Sequence, residues 1–256
     1  MPRWDPTLYL AYESERARPF LDLVARVPIA PRTIVDLGCG PGHLSAVLRA
    51  RWPEATITGV DSSPEMVAQA LRENADASTR YEQGDIAAWA PPEPVDLVVS
   101  NAAFQWVPDQ LEVVPRLRDH VAPGGVLAFQ VPDNHHEPNH TLLREIAGRA
   151  PYAEHTTGLA TVRTVSPATY LDLLVDDAWD LDVWGTTYYH LLEGEDPVFR
   201  WIAGTGARPV LQALPPGLRE EFTEEYKAAL REAYPRKAYG TVLPFPRTFV
   251  VAKRRV

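Results

Sequence analysis

Short apolar runs rich in β-branched residues alternate, through the first half of the chain, with stretches whose apolar positions recur every three or four residues. The runs fall at 33–37 (TIVDL), 55–61 (ATITGVD), 80–85 (RYEQGD), 95–101 (VDLVVSN) and 125–131 (GVLAFQV). Between them Leu44, Val47 and Leu48 make one helical stripe, Val67, Ala70 and Leu71 a second, and Leu111, Val114 and Leu117 a third. A further helix is predicted to end near Val27, and the SSPEM run at 62–66 supplies a serine cap and an early proline. Strand-helix alternation of this kind predicts parallel strands joined by right-handed crossovers, an α/β fold with a Rossmann-like, doubly wound sheet.

The second half changes character. Residues 180–192 alternate as an antiparallel-type strand should, with Asp182, Trp184, Thr186, Tyr188 and His190 on one face, and 248–254 read as a final strand with a basic tail. The stretches 139–149, 167–177 and roughly 195–240 carry helical patterns. They are expected to be insertions that roof the C-terminal edge of the sheet, where ligands bind in such folds.

Composition narrows the setting without redirecting it. The 256 residues, 45% hydrophobic and 23% charged, suffice for a full core, and 25 prolines sit mostly in short turns. No run reaches the roughly 18 apolar residues of a membrane span, and the N-terminus lacks a basic stretch leading into an apolar one, so a cytoplasmic, membrane-free chain is expected. A single cysteine, Cys39, allows no intrachain disulfide. The net charge of −9 disfavours nucleic acid as a partner. A small anionic substrate would need a local cluster of arginines.

Candidate chemistry begins at the turn after the first run, VDLGCGPG at 35–42. A dinucleotide turn reads G-x-G-x-x-G and holds a pyrophosphate on backbone amides. Gly38 and Gly40 fit that frame, but its third glycine position is His43, the extra glycine is Gly42, and Pro41 removes an amide donor. Asp36 would meet phosphate with the wrong sign and an ammonium group with the right one. These departures favour S-adenosylmethionine, which carries a sulfonium and an amino group and no phosphate. Asp61, 21 residues past Gly40, has the spacing of a carboxylate that accepts from ribose hydroxyls. Asp85, followed by apolar Ile86, suits the adenine amino group. Ser62, Met66 and Asn101 complete the expected cofactor contacts. Turn and capping chemistry alone is the competing account of Asp36 and Asp61.

The glycine turn, its neighbours and several distant segments together resemble the trans-aconitate 2-methyltransferases, a family of class I methyltransferases. The likeness runs through WDPTLYL (4–10), RWPEATITGVDSSPEM (51–66), NAAFQWVPD (101–109), VPDN (131–134), TTYYH (186–190), TGARP (205–209) and FPRTFVVAKR (245–254). One departure is His43, where asparagine is the commoner residue of the family. The resemblance implies one domain over residues 1–256 with a seven-stranded, mostly parallel sheet. Its parts would be an N-terminal helical lid (1–30), a cofactor-binding core (31–133), helical insertions (134–178 and 193–244) and C-terminal strands (179–192 and 246–254). It also implies S-adenosylmethionine as cofactor and a small polycarboxylic acid, trans-aconitate first, as substrate.

Esterifying a carboxylate needs no general base, because the nucleophile is already ionised at neutral pH. No catalytic acid-base residue and no metal are therefore expected; the histidine-rich stretch 133–140 (DNHHEPNH) is interrupted by Pro138 and reads as a polar loop. Arg208 and Arg247 are the expected carboxylate forks, with stapling of loop to core as the alternative for each. Tyr188 and His190 share a strand face as possible hydrogen-bond donors. Trp201, Trp106 and Gln105 would wall the pocket, and Tyr9, with Tyr12, would close over it. Competing readings are a methyltransferase for another acid or an acyl-thioester-linked malonyl group, one for a phenol or amine with His190 as base, a nicotinamide-dependent oxidoreductase, and a binding module without catalysis.

Overall fold

The computed structural model describes residues 13–74, 76–159 and 164–256, with side chains from residue 17 onward. Tyr9 and Tyr12 lie outside the described residues. The elements, in chain order, are α1 (Glu13–Ala25), β1 (Thr33–Leu37), α2 (Ser45–Arg51), β2 (Thr56–Asp61), α3 (Pro64–Glu73), β3 (Thr79–Gln83), β4 (Val95–Asn101), a 3-10 turn (Phe104–Trp106) and α4 (Gln110–Leu117). They continue with β5 (Val121–Pro132), α5 (Pro138–Ala147), α6 (Ala153–Thr156), α7 (Pro167–Leu174), β6 (Trp179–Leu192), α8 (Pro197–Ala203), α9 (Arg208–Ala213), α10 (Pro216–Ala233) and β7 (Thr241–Arg254).

The chain divides into two compact units. A sheet unit comprises Glu13–Pro132, Val165–Thr186 and Arg247–Val256, and a helical unit takes in Asp133–Thr164 and Thr187–Pro246. The unit boundary falls within both β6 and β7.

In the sheet unit the strand order is β3-β2-β1-β4-β5-β7-β6. Pairings β1–β2, β1–β4, β2–β3 and β4–β5 are parallel, and β5–β7 is antiparallel. Central strands of such a sheet are covered on both faces, which is why 34–37 and 97–101 are buried throughout, whereas edge strand β3 buries only Tyr81. Leu37, Val98, Phe104, Leu127 and Phe129 anchor the main core, where the Phe129 ring meets Phe104 and Tyr170 edge-on, each at 5.0 Å. Helix α3 starts as its sequence dictates: Ser63 Oγ accepts from the Met66 amide at 3.3 Å, with Pro64 in the first turn.

Three expectations change. Residues 167–177 do not belong with the helical insertions: α7 lies in the sheet unit, because Tyr170 and Leu174 are fully buried in its core and the Tyr170 hydroxyl donates to Gln110 Oε1 at 2.7 Å. Strand β5 starts four residues before the expected 125, with Gly124 in the left-handed region at φ +77° and a register shift between Val95 and Leu97. Strand β7 begins at Thr241, through two prolines that locally argue against a strand.

In the helical unit α10 packs on α5. Phe222, Tyr226 and Leu230 supply its buried face, the Tyr226 hydroxyl donates to the Asn139 carbonyl, and Tyr234 bonds both the amide and the side chain of Asn139. Pro138 opens α5 rather than breaking it, so His140 lies in the first turn, buried.

Candidate active site

The chain runs outward from β1 to β2 and β3 and then returns to β4, so β1 and β4 flank the point where the winding reverses. Ligands in doubly wound folds bind outside the carboxyl ends of strands at that point. The glycine turn follows β1 there. Gly38, Gly40 and Gly42 all adopt positive φ, at +77°, +57° and +78°.

The three glycines serve different ends. A Cβ on Gly38 would lie 2.3 Å from that of Ala103, so this glycine lets the β1 turn pass the residues after β4. One on Gly42 would strike the Tyr81 ring at 2.8 Å, which gives Gly42 a packing role beside its expected cofactor contact. Among the described residues nothing lies within 4 Å of the position a Cβ would take on Gly40, which leaves its backbone open to a ligand.

Of the two carboxylates beside this turn, Asp61 braces it. Asp61 Oδ2 accepts from the Gly40 amide and Oδ1 from the Ser63 amide, both at 2.9 Å, so the end of β2 holds the turn after β1 in place. Burial raises the Asp61 pKa, opposed by these backbone amides. Asp36 is 1% exposed, and among the described residues no donor reaches its Oδ1. Burial, with the neighbouring Asp61 carboxylate, pushes its pKa up to about 7. A buried carboxyl with no counter-charge among the described residues, beside an open glycine backbone, fits a ligand that brings a cation, and S-adenosylmethionine is such a ligand.

The other expected cofactor residues are less uniform. Asp85 does not end β3: the strand stops at Gln83, and Asp85 sits exposed in the following turn, where its Oδ1 accepts from the Ala87 amide at 2.9 Å. The short side chain finds a local amide partner and so favours a turn over a strand end. Ile86 is buried and close to Gly38. Ser62 is exposed, and Met66 is buried on α3.

Asn101, at the end of β4, is one member of a buried network that the sequence pattern does not reveal. Arg247 on β7, 4% exposed, donates from Nη1 to Gln130 Oε1 at 2.8 Å, and Gln130 Nε2 donates to Asn101 Oδ1. The polarity of this chain is forced. A guanidinium only donates, so the Gln130 oxygen must face Arg247, its NH2 must face Asn101, and the Asn101 NH2 is turned away from both. Gln130 also accepts from the Ala102 amide through its carbonyl, at 2.9 Å, where Ala102 holds a left-handed φ of +53°. Gln105 is buried and donates to the Ala102 carbonyl at 2.6 Å, while Trp106 is half-buried.

The helical unit contains the remaining expected substrate residues. Tyr188, His190 and Trp201 are all buried, with the His190 ring stacked on Trp201 at 4.6 Å and meeting Phe245 edge-on at 5.6 Å. Tyr188 and His190 thus share a face, as the alternation predicts, and that face meets an aromatic cluster. Arg208, the first residue of α9, is 6% exposed, and burial lowers its pKa.

Comparison with known proteins agrees with this geometry. A methyltransferase-domain family model matches residues 9–171. The trans-aconitate 2-methyltransferase of Streptomyces avermitilis is 47% identical, covering 99% of this chain and 98% of its own length. That of Methylobacterium nodulans is 46% identical over 99% of each chain. Among solved structures the YcgJ protein of Bacillus subtilis, 14% identical, shares the fold with a TM-score of 0.62 over 95% of this chain and 99% of its own. A doubly wound sheet, a glycine turn braced by a carboxylate and near-full-length identity lead to one assignment: the chain belongs to the trans-aconitate 2-methyltransferases, class I methyltransferases that take their methyl group from S-adenosylmethionine.

Proposed function

We propose that this chain esterifies one carboxylate of trans-aconitate and releases the monomethyl ester. The observation that carries the reading is the near-full-length identity to relatives of that name, which spans the helical unit as well as the sheet unit. When bound, S-adenosylmethionine supplies a methyl group on a positively charged sulfur, and a carboxylate oxygen displaces that sulfur in line. A C–O bond forms as the C–S bond breaks, the two charges cancel, and no proton moves. The protein therefore has to position, orient and exclude water, which for ideal alignment contributes up to about 7–11 kcal/mol.

In this reading Asp36 faces the ammonium end of the cofactor, Asp61 the ribose hydroxyls, and Asp85 with Ile86 the adenine. Gly38, Gly40 and Gly42 admit the backbone approach, and Ser62, Met66 and Asn101 line the remainder. Arg247 and Arg208 are the carboxylate forks, since each is a buried guanidinium, and a planar fork matches a carboxylate in a way that an ammonium does not. Gln105, Trp106, Tyr188, His190 and Trp201 contribute shape and donors around the acid. The chain works in the cytoplasm, a reading that its lone buried cysteine supports.

The test is a panel of small di- and tricarboxylic acids, phenols and amines incubated with S-adenosylmethionine and the full chain, read by mass spectrometry for a gain of about 14 Da. Trans-aconitate is expected to give a single monomethyl product at the highest kcat/KM of the panel. A methylated phenol or amine beside unmodified acids sinks the proposed substrate and leaves the family assignment standing.

A further inference from the structure

The helical unit contains a cavity of about 180 Å3 bordered by α5, the stretch 156–159 and the start of α9. Leu143, Ala147, Pro209 and Val210 give it apolar walls, and His135, His140 and Arg144 bring polar atoms to it. At about 30 Å3 per water it has the size of a short organic acid, below the roughly 300 Å3 at which pockets for larger ligands begin.

Arg144 is held in one pose by His135. Its Nη1 lies 3.1 Å from His135 Nδ1, and Nη2 donates to the His135 carbonyl at 2.9 Å. Among the described residues no carboxylate pairs with it. Arginines just past the end of α5 and on the facing helix differ: Arg149 pairs with Glu145 and Glu225, and Arg231 forks onto Asp196. Partial burial already works against the Arg144 charge. A half-buried cation in an acidic chain, with no carboxylate partner among the described residues, is a receptor for an anion.

His140 is one helical turn before Arg144, on the same face of α5. It is 8% exposed, and no hydrogen bond reaches its ring among the described residues. Its position is fixed by a close fit: a Cβ on Gly206 would stand 2.7 Å from His140 Cε1, so the glycine of TGARP makes room for this ring. Burial, followed by His135 and Arg144, pushes its pKa down to about 4, so the ring is neutral at physiological pH and carries one N–H donor. Buried polar groups are rarely left without partners, and here the cavity is where a partner would sit.

We propose that this cavity is a carboxylate-binding site, in which Arg144 receives the anion, the His140 imidazole adds a donor, and the apolar walls enclose a short carbon chain. The occupant is either a carboxylate arm of the acid substrate, in which case the inference rests on the proposed function, or a separate small acid.

The full chain is titrated with trans-aconitate and with succinate by calorimetry, and the His140 ring is followed by nitrogen-edited NMR. Wild type is compared with Arg144→Met, with Arg144→Lys, and with Ala147→Phe, which fills the cavity from its apolar wall and keeps the guanidinium in the chain. Acid binding is expected to move the His140 signals in wild type and to weaken tenfold or more in Arg144→Met and Ala147→Phe, with a smaller loss in Arg144→Lys. A parallel rise in KM at unchanged cofactor affinity identifies the occupant as the substrate; lost binding at unchanged KM identifies a separate acid. His140 signals indifferent to both acids, or binding equally tight in Arg144→Met and Ala147→Phe, overturn the site. A chain that methylates no trans-aconitate yet binds acids through Arg144 loses the proposed substrate and keeps this inference.

Discussion

Asp36 shows how one side chain can couple a binding site to pH. Its carboxyl titrates near 7 in the folded chain against an ordinary value of 3.8, because it is buried beside Asp61. Between those values the folded state binds a proton that the unfolded state has released. The associated stability is fully present below pH 3.8 and is lost as the pH rises through 7. Asp36→Asn is neutral at every pH and escapes that loss. Its melting temperature relative to wild type should therefore climb between about pH 4 and pH 7 and level off above, and a constant difference would mean that the carboxyl is not desolvated. Cofactor affinity should move the opposite way to stability: a cation prefers the ionised carboxylate, so binding tightens across the same window and releases a proton. Calorimetry in buffers of differing ionisation enthalpy reads that proton, and Asp36→Asn should abolish it.

At the scale of elements, the Arg247–Gln130–Asn101 chain ties together β7, β5 and β4. Gln130→Met keeps length and volume but offers neither donor nor acceptor. Releasing both neighbours should raise KM for the acid and weaken cofactor binding, each by about tenfold, which corresponds to about 1.4 kcal/mol. In Gln130→Glu the side chain still pairs with Arg247 but opposes Asn101 Oδ1, so the cofactor effect should persist while the KM effect shrinks. Equal kinetics and cofactor affinity in all three chains would reduce the network to packing. None of this was legible in the sequence, since Gln130 and Arg247 are 117 residues apart and nothing in the local pattern links them. Local signals served better where a single element answers to its own residues. The β1 and β4 runs appear at their expected bounds, and Ser63–Pro64 starts α3 where a cap and an early proline should. They failed where tertiary contacts decide: Pro244 and Pro246 hid the first half of β7, and only the burial of Tyr170 and Leu174 shows which unit α7 belongs to.

For the whole molecule, the division into units does not follow sequence blocks. The sheet unit is assembled from three separated segments, and both β6 and β7 are shared between the units. Reading the chain in order therefore finds the doubly wound core, which is nearly continuous, and blurs the rest. One feature of that core extends beyond binding. Cys39, the sole cysteine, is buried against Val67, Ala70 and Tyr81, and a Cβ on Gly59 would stand 2.9 Å from its sulfur. Burial, reinforced by Asp36 and Asp61, drives the thiol pKa far upward, so almost no thiolate exists at neutral pH. Ellman's reagent should find no reactive sulfur in the native chain and one per chain in denaturant; rapid native reaction would contradict the burial. Nature has thus left a protein whose exterior is chemically silent toward maleimides, and a dye or spin label attached through an introduced surface cysteine would report from that site alone.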